Sequence, residues 1–183
     1  MHPLLITALR SHCHHPDPEI QGLLDEARKI LEEAPASAER FAAELMAGKT
    51  LAECLGIQVN MRAASYQGAC KLVDEKMFYS ALILSAFVLA TGPRDARAAF
   101  KVASCMQYLE DFSSAAEYYK LALQIDNHHI GAAYRLGECL EMLDDDGATH
   151  LFEWVIALAR GNFTYRKIQE AAESRLRKHP LLP

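Results

Sequence analysis

Apolar positions along the chain fall at helical spacing, and over residues 62–163 the pattern itself repeats with a period of 34 residues. Small residues hold one phase of that period, at Ala69, Ala103 and Gly137, and a second at Ala81 and Ala115. Large apolar residues hold others: Tyr66, Phe100 and Tyr134, then Leu72, Met106 and Leu140, and Phe78 with Phe112. A helix pair of this length cannot bury its apolar face alone, so it must stack on its neighbours. The small phases, with Ala122, mark where paired helices cross, because anything larger than alanine would hold the axes apart.

This period and phasing is the tetratricopeptide signature. The sequence therefore predicts an all-α protein of three tetratricopeptide helical hairpins stacked as a short solenoid, with N-terminal helices and a C-terminal end helix. The repeats frame at 62–95, 96–129 and 130–163. In the first, Asn60 caps a helix to about residue 75, and its partner runs from near Met77 to before Gly92-Pro93. The second predicts helices over 95–109 and 113–125, and the third over 129–143 and 148–159. Thr149 and Glu153 break the third repeat's phase, and a one-residue slip puts Ala148 and Phe152 there instead.

Outside the repeats, residues 1–16 lack periodicity and read as a flexible segment. Residues 17–61 read as N-terminal helices. Asp17-Pro18 opens the first, with an apolar stripe at Ile20, Leu23, Leu24, Ala27, Ile30 and Leu31, and Pro35 ends it. Ser37 caps a second helix carrying Phe41, Leu45 and Met46, stopped by Gly48. Thr50-Leu51-Ala52-Glu53 is a capping box, closed by Gly56. Residues 164–183 make a capping helix and tail, with Tyr165, Ile168, Ala172 and Leu176 facing the last repeat.

Composition narrows the function. Half the residues are hydrophobic (51%) and net charge is −5, so nucleic acid is not the implied partner. Charge is uneven, since residues 160–183 are basic and the rest acidic. The five cysteines, Cys13, Cys54, Cys70, Cys105 and Cys139, form no Cys-x-x-Cys pair and read as small hydrophobes in a reducing compartment. No secretory signal is seen at the start. The longest apolar run, residues 77–91, falls short of the roughly 18 residues of a membrane span. These features predict a cytoplasmic protein without stable membrane insertion.

The first helix of each hairpin lines the concave side of such an array. Its inward phases carry Ala63, Tyr66, Cys70 and Val73, then Arg97, Phe100, Lys101, Ser104, Gln107 and Tyr108, then Tyr134, Arg135, Glu138 and Glu141. Aromatic anchors among a few charged and hydrogen-bonding groups suit an extended peptide. Three aromatics at one concave phase favour binding over a purely structural role for Tyr66, Phe100 and Tyr134.

The order of segments resembles a family. A leading helix, the stretch Gly48-Lys49-Thr50-Leu51-Ala52-Glu53-Cys54-Leu55-Gly56-Ile57, three repeats and a basic end helix resemble the class II chaperones of bacterial type III secretion. Gly137-Glu138-Cys139-Leu140 and Phe152-Glu153-Trp154-Val155-Ile156 resemble that family's third repeat. The match covers about residues 40–178. The resemblance implies a non-enzymatic chaperone that keeps hydrophobic translocator proteins soluble in the bacterial cytoplasm, gripping an N-terminal client segment in the concave groove. It implies a homodimer through the N-terminal helices and a possible partnership with a transcription activator. Family groove positions fall on Tyr66, Cys70 and Val73, of which only Tyr66 keeps the usual aromatic character. Residues 1–36 are longer than the family's lead-in.

Catalytic and metal chemistry find no support. His12-Cys13-His14-His15 has metal-ligating types, but adjacent residues rarely all point at one ion. Asp144-Asp145-Asp146-Gly147 lacks the spacing of a calcium loop. His128-His129 reads as surface at a repeat boundary. No phosphate loop, nucleophile elbow or zinc motif occurs, so no cofactor, metal or catalytic residue is implied. The alternative function is a tetratricopeptide adaptor or co-regulator that recruits a folded partner, such as a transcription factor.

Overall fold

The computed structural model describes residues 2–11, 14–92 and 94–178, and every regular element among them is helical. The first four helices are α1 (Pro3–Arg10), α2 (Pro18–Arg40), α3 (Ala42–Met46) and α4 (Leu51–Leu55). Three hairpins follow: α5 (Val59–Asp74) with α6 (Phe78–Thr91), α7 (Ala96–Tyr108) with α8 (Phe112–Ile125), and α9 (Ile130–Met142) with α10 (Gly147–Ala159). A 3-10 turn at Phe163–Tyr165 leads into α11 (Arg166–Lys178).

The 34-residue period is written into the backbone. Lys76, Glu110 and Asp144 take left-handed φ angles of 61°, 63° and 54° at the three hairpin turns. The next amide in each case returns to a buried or half-buried residue of the repeating apolar phase. Met77 N–H donates to Leu72 O at 2.8 Å, Asp111 N–H to Met106 O at 3.0 Å, and Asp145 N–H to Leu140 O at 2.9 Å. This six-to-one bond around a left-handed residue is the Schellman closure of a helix. The third turn then carries one residue more before its second helix begins. In the helix that follows, Ala148 and Phe152 are buried and Glu153 faces solvent, so the buried phase comes one residue earlier than the 34-residue period, in the opposite sense to the added turn residue. Ala69, Ala81, Ala103, Ala115 and Ala122 are all fully buried at the helix crossings.

Helix α6 is apolar all round because it is enclosed all round. It packs on α5 and α7 within the array and on α1 and α2 outside it. Leu82, Ile83, Leu84 and Phe87 are each wholly buried. Two of its buried hydroxyls are satisfied along the helix, Ser85 donating to Ala81 O at 2.6 Å and Thr91 to Phe87 O at 2.7 Å.

Four local expectations are corrected. The start of the chain is not an unstructured segment. His2 caps α1 by accepting Leu4 N–H, Pro3 occupies the first turn, and Ala8 and Leu9 bury against the core. His2 Nε2 also lies 2.7 Å from Ser114 Oγ, and Arg28 donates to the carbonyls of Leu9 and Ser11 at the other end of α1. Pro35 does not end α2. Its buried stripe stops at Leu31, but Ala34, Ala36, Ala38 and Glu39 are strong helix formers and carry the helix to Arg40, leaving Ser37 inside it. Helix α5 begins at Val59 after Gln58, so Asn60 lies within its first turn. His129 is not simply surface. Its Nδ1 accepts Ala132 N–H at 3.1 Å as the cap of α9, and its ring stacks on Phe100.

Other local features follow sequence chemistry. Thr50 and Glu53 form the reciprocal capping box, and Gly56 closes α4 in the left-handed conformation. His15 is buried, its Nδ1 accepting Asp17 N–H at 3.0 Å and its Nε2 lying 2.8 Å from Glu75 Oε2. With the Asp17–Lys71 ion pair at 2.9 Å, it fixes the start of α2 against the first hairpin. His12 and Cys13 lie outside the described residues. At the far end, Tyr165, Ile168, Ala172 and Leu176 pack against α9 and α10 in a second, smaller core. Among the described residues no helix is long and apolar enough to cross a membrane.

Candidate functional site

Successive first helices of the hairpins touch one another: α5 meets α7, α7 meets α9, and α9 meets α11. Among the described residues the second helices α6, α8 and α10 do not approach each other comparably. The array therefore curves toward its first helices, and their free faces form the inner surface. Helix α1 sits on the opposite side, along α6 and against the start of α8.

Three patches make up the inner surface. In the first, Tyr66 is half-buried, and the Arg97 guanidinium lies 5.2 Å from its ring centroid. That contact ties α5 to α7 and covers one face of the ring. Arg97 is itself held by Asp95 at 3.2 Å. Burial, more than any charge, pushes the Tyr66 hydroxyl above its ordinary pKa. Cys70 and Val73 continue this patch as half-buried small residues.

The second patch is aromatic. Phe100 lies between Tyr119, at 5.5 Å, and His129, at 4.9 Å. Ser104 is buried and its hydroxyl donates to Phe100 O at 2.8 Å, so it forms floor rather than contact surface. Tyr119 donates its hydroxyl to Gln107 Oε1 at 2.7 Å from beneath, and burial raises its pKa. Lys101 is half-buried, and Tyr108 is 46% exposed and stacked on Phe78 at 4.6 Å.

The third patch is ionic. Glu138 accepts from Arg135 at 2.9 Å, from Gln107 at 3.3 Å and from Arg175 of α11 at 2.9 Å. Arg175 also donates to Glu141. Tyr134 packs its ring on Phe152 at 5.8 Å, and burial raises its hydroxyl pKa. Most of the sequence-derived groove residues thus lie along one connected face. Tyr66 and Arg97 meet, as do Gln107, Arg135 and Glu138. His129 and Arg175 complete the face, Tyr119 supports it from beneath, and none of the three was anticipated there. Arg175 had a signal, because it stands 34 residues after Glu141 and continues the period into α11. Tyr119 had none, since its contribution is a hydroxyl reaching through the core from α8.

The described cysteines are free, and two are sequestered. Burial pushes the thiols of Cys105 and Cys139 up to about 12, which leaves them protonated near neutrality.

A tetratricopeptide array with a groove of this kind is the class of fold on the page, and comparison with solved structures agrees. A type III secretion complex from Aeromonas hydrophila matches with a TM-score of 0.70 at 20% identity, over 76% of this chain and 94% of that one. The Yersinia enterocolitica translocator chaperone SycD, bound to a peptide of YopD, matches with a TM-score of 0.65 at 15% identity, covering 67% and 94%. PcrH of Pseudomonas aeruginosa, in complex with the chaperone binding region of PopD, matches with a TM-score of 0.65 at 20% identity, covering 67% and 93%. The chain shares the fold of these chaperones. No family model matches it, and no curated protein sequence does.

Proposed function

We propose that this chain is a type III secretion chaperone that holds a hydrophobic translocator protein soluble in the bacterial cytoplasm before export. The concave face of α5, α7, α9 and α11 grips an extended client segment. The observation that carries this reading is the row Tyr66, Phe100 and Tyr134, placed at one phase on adjoining inner helices and backed by polar groups. Apolar client side chains pack against these rings, and the Gln107, Arg135 and Glu138 cluster meets the client backbone. The likeness to SycD with its YopD peptide and to PcrH with its PopD region supports the same use of the fold.

The chemistry of the client fits. A protein destined for a membrane exposes apolar segments that aggregate beforehand, and capture of one extended segment suppresses this. Ordering that segment on binding limits the net affinity, which permits release at the export machinery.

We assign residues 17–61 to homodimerisation. Met46 and Val59 there are 90% and 80% exposed, apolar and close in sequence to the α4 turn.

Co-expression with a translocator carrying two apolar segments tests the reading. The client stays soluble with the native chain and precipitates with the double variant Tyr66→Ala, Tyr134→Ala, while helicity is unchanged. A client that remains insoluble beside the native chain overturns the chaperone function. One retained fully by the double variant moves the site off the inner face. Light scattering on the full chain carrying Met46→Asp and Val59→Asp tests the dimer, since a mass that stays dimeric excludes this exposed apolar surface as the interface.

A further inference from the structure

A second chamber lies outside the aromatic row, where the α3–α4 segment faces the junction of the first two hairpins. Its volume is about 1140 Å³. This exceeds the usual range for small-molecule sites, roughly 300–1,000 Å³. Its apolar walls include Leu45, Leu51, Ala90 and Ile125. Its polar lining is cationic: Lys49, Arg62, Arg94 and Arg97 stand against one carboxylate, Asp95.

The carboxylates present do not satisfy these cations. Asp95 is committed to Arg97 and to the backbone amides of Arg97 and Ala98 as the cap of α7. Lys49 has Glu44 at 2.8 Å. Arg62 and Arg94 have no carboxylate partner among the described residues. Arg62 lies flat across Gly92, where an added Cβ would sit 1.8 Å from its Nη2, and it donates to Val88 O at 3.3 Å. Its Nε is buried with no partner. One helix-end carbonyl does not discharge a guanidinium that has five donors. Gly92 thus acts as a seat that holds this cation at the chamber wall.

We propose that this chamber binds an acidic peptide segment of a partner chain, in which carboxylates alternate with aliphatic side chains. The carboxylates meet Arg62 and Arg94, bidentate geometry being available to each. The aliphatic side chains fill the space between Leu45, Leu51 and Ile125. Charge complementarity selects this occupant, because a neutral or basic segment would leave the arginines facing like charge or unpaired. The chain's net charge of −5 disfavours a polyanion as long as a nucleic acid. Arg97 borders both this chamber and the Tyr66 patch, whereas Arg62 and Arg94 line the chamber alone, so variants at these two positions test it separately from the groove.

Fluorescence anisotropy on the full chain tests it, with a labelled peptide of alternating Leu and Glu as probe. Its Leu/Gln counterpart and a labelled oligothymidine of equal charge serve as comparisons. The Glu peptide binds about tenfold more tightly than the Gln peptide at low salt, and Arg62→Gln with Arg94→Gln removes about that factor. Arg94→Glu, on an exposed side chain that leaves the fold intact, weakens the Glu peptide in the same sense. Gly92→Ala unseats Arg62 without changing charge and also weakens it. Lys167→Gln, on exposed α11, controls for bulk charge and leaves the affinity unchanged. Equal affinity for the Glu and Gln peptides overturns the proposal. So does tighter binding of the oligothymidine, or insensitivity to both Arg94→Glu and Gly92→Ala.

Discussion

The two ends of the array are closed by different physics. At the first hairpin, α6 is wrapped by α1, α2, α5 and α7, and its contacts are almost wholly apolar. At the last hairpin, α11 has a narrow apolar seam around Ala172 and an ionic tie in which Arg175 spans Glu138 and Glu141. Apolar packing carries no charge for salt to screen, whereas ion pairs in which one partner still reaches solvent, as Arg175 does, are screened in part. The α6 end is held by buried apolar surface, and the α11 end is held to α9 largely by Arg175.

The largest effect expected is at the α6 end. Phe87→Ala removes a fully buried ring from α6 and costs about 3–5 kcal/mol in denaturant unfolding. A loss under about 1 kcal/mol would make the two ends equivalent. Ala115→Leu, at a helix crossing with no free space, costs about 1–3 kcal/mol by overpacking, and an unchanged thermal midpoint would count against the repeat frame.

At the other end, Glu138→Ala leaves Arg135, Arg175 and Gln107 without their shared acceptor. It costs about 1–3 kcal/mol, and the cost shrinks as salt rises. A cost equal at low and high salt would assign that end to packing too.

The smallest effect is a pH dependence at the α6 end. The Lys71 ammonium bonded to Asp17, helped by Glu19 N–H, holds the Asp17 carboxyl below its ordinary 3.8. A lowered carboxyl pKa stabilises the fold above the ordinary value and loses that contribution as pH falls through the folded value. Docking of α2 should therefore weaken below about pH 4, and Asp17→Asn should remove that part of the acid transition. An identical acid profile in the variant places the sensitivity elsewhere.

The contrast also explains how far the sequence could be read. The hairpins were legible because the alanine phases and Leu72, Met106 and Leu140 recur through the turns they close. Even the third repeat's slip was visible as displaced Ala148 and Phe152. Helix α1 was hidden because two turns carry too little periodicity, and its burial depends on the surface of α6. Pro35 misled because local propensity after it outweighed the lost hydrogen bond. Within the groove, Tyr66, Phe100 and Tyr134 were found from their shared phase. Ser104 was read as contact surface because periodicity does not show that Tyr119 and the Phe100 carbonyl use its hydroxyl. The cationic chamber left no trace, since its walls come from residues scattered between 38 and 125.

Amide hydrogen exchange on the full chain, alone and with a co-expressed translocator bound, tests the central claim most directly. The account predicts new protection along α5, α7 and α9, centred near Tyr66, Phe100 and Tyr134, with α8 and α10 unchanged. Protection confined to the outer helices, or none on the inner row, would contradict it.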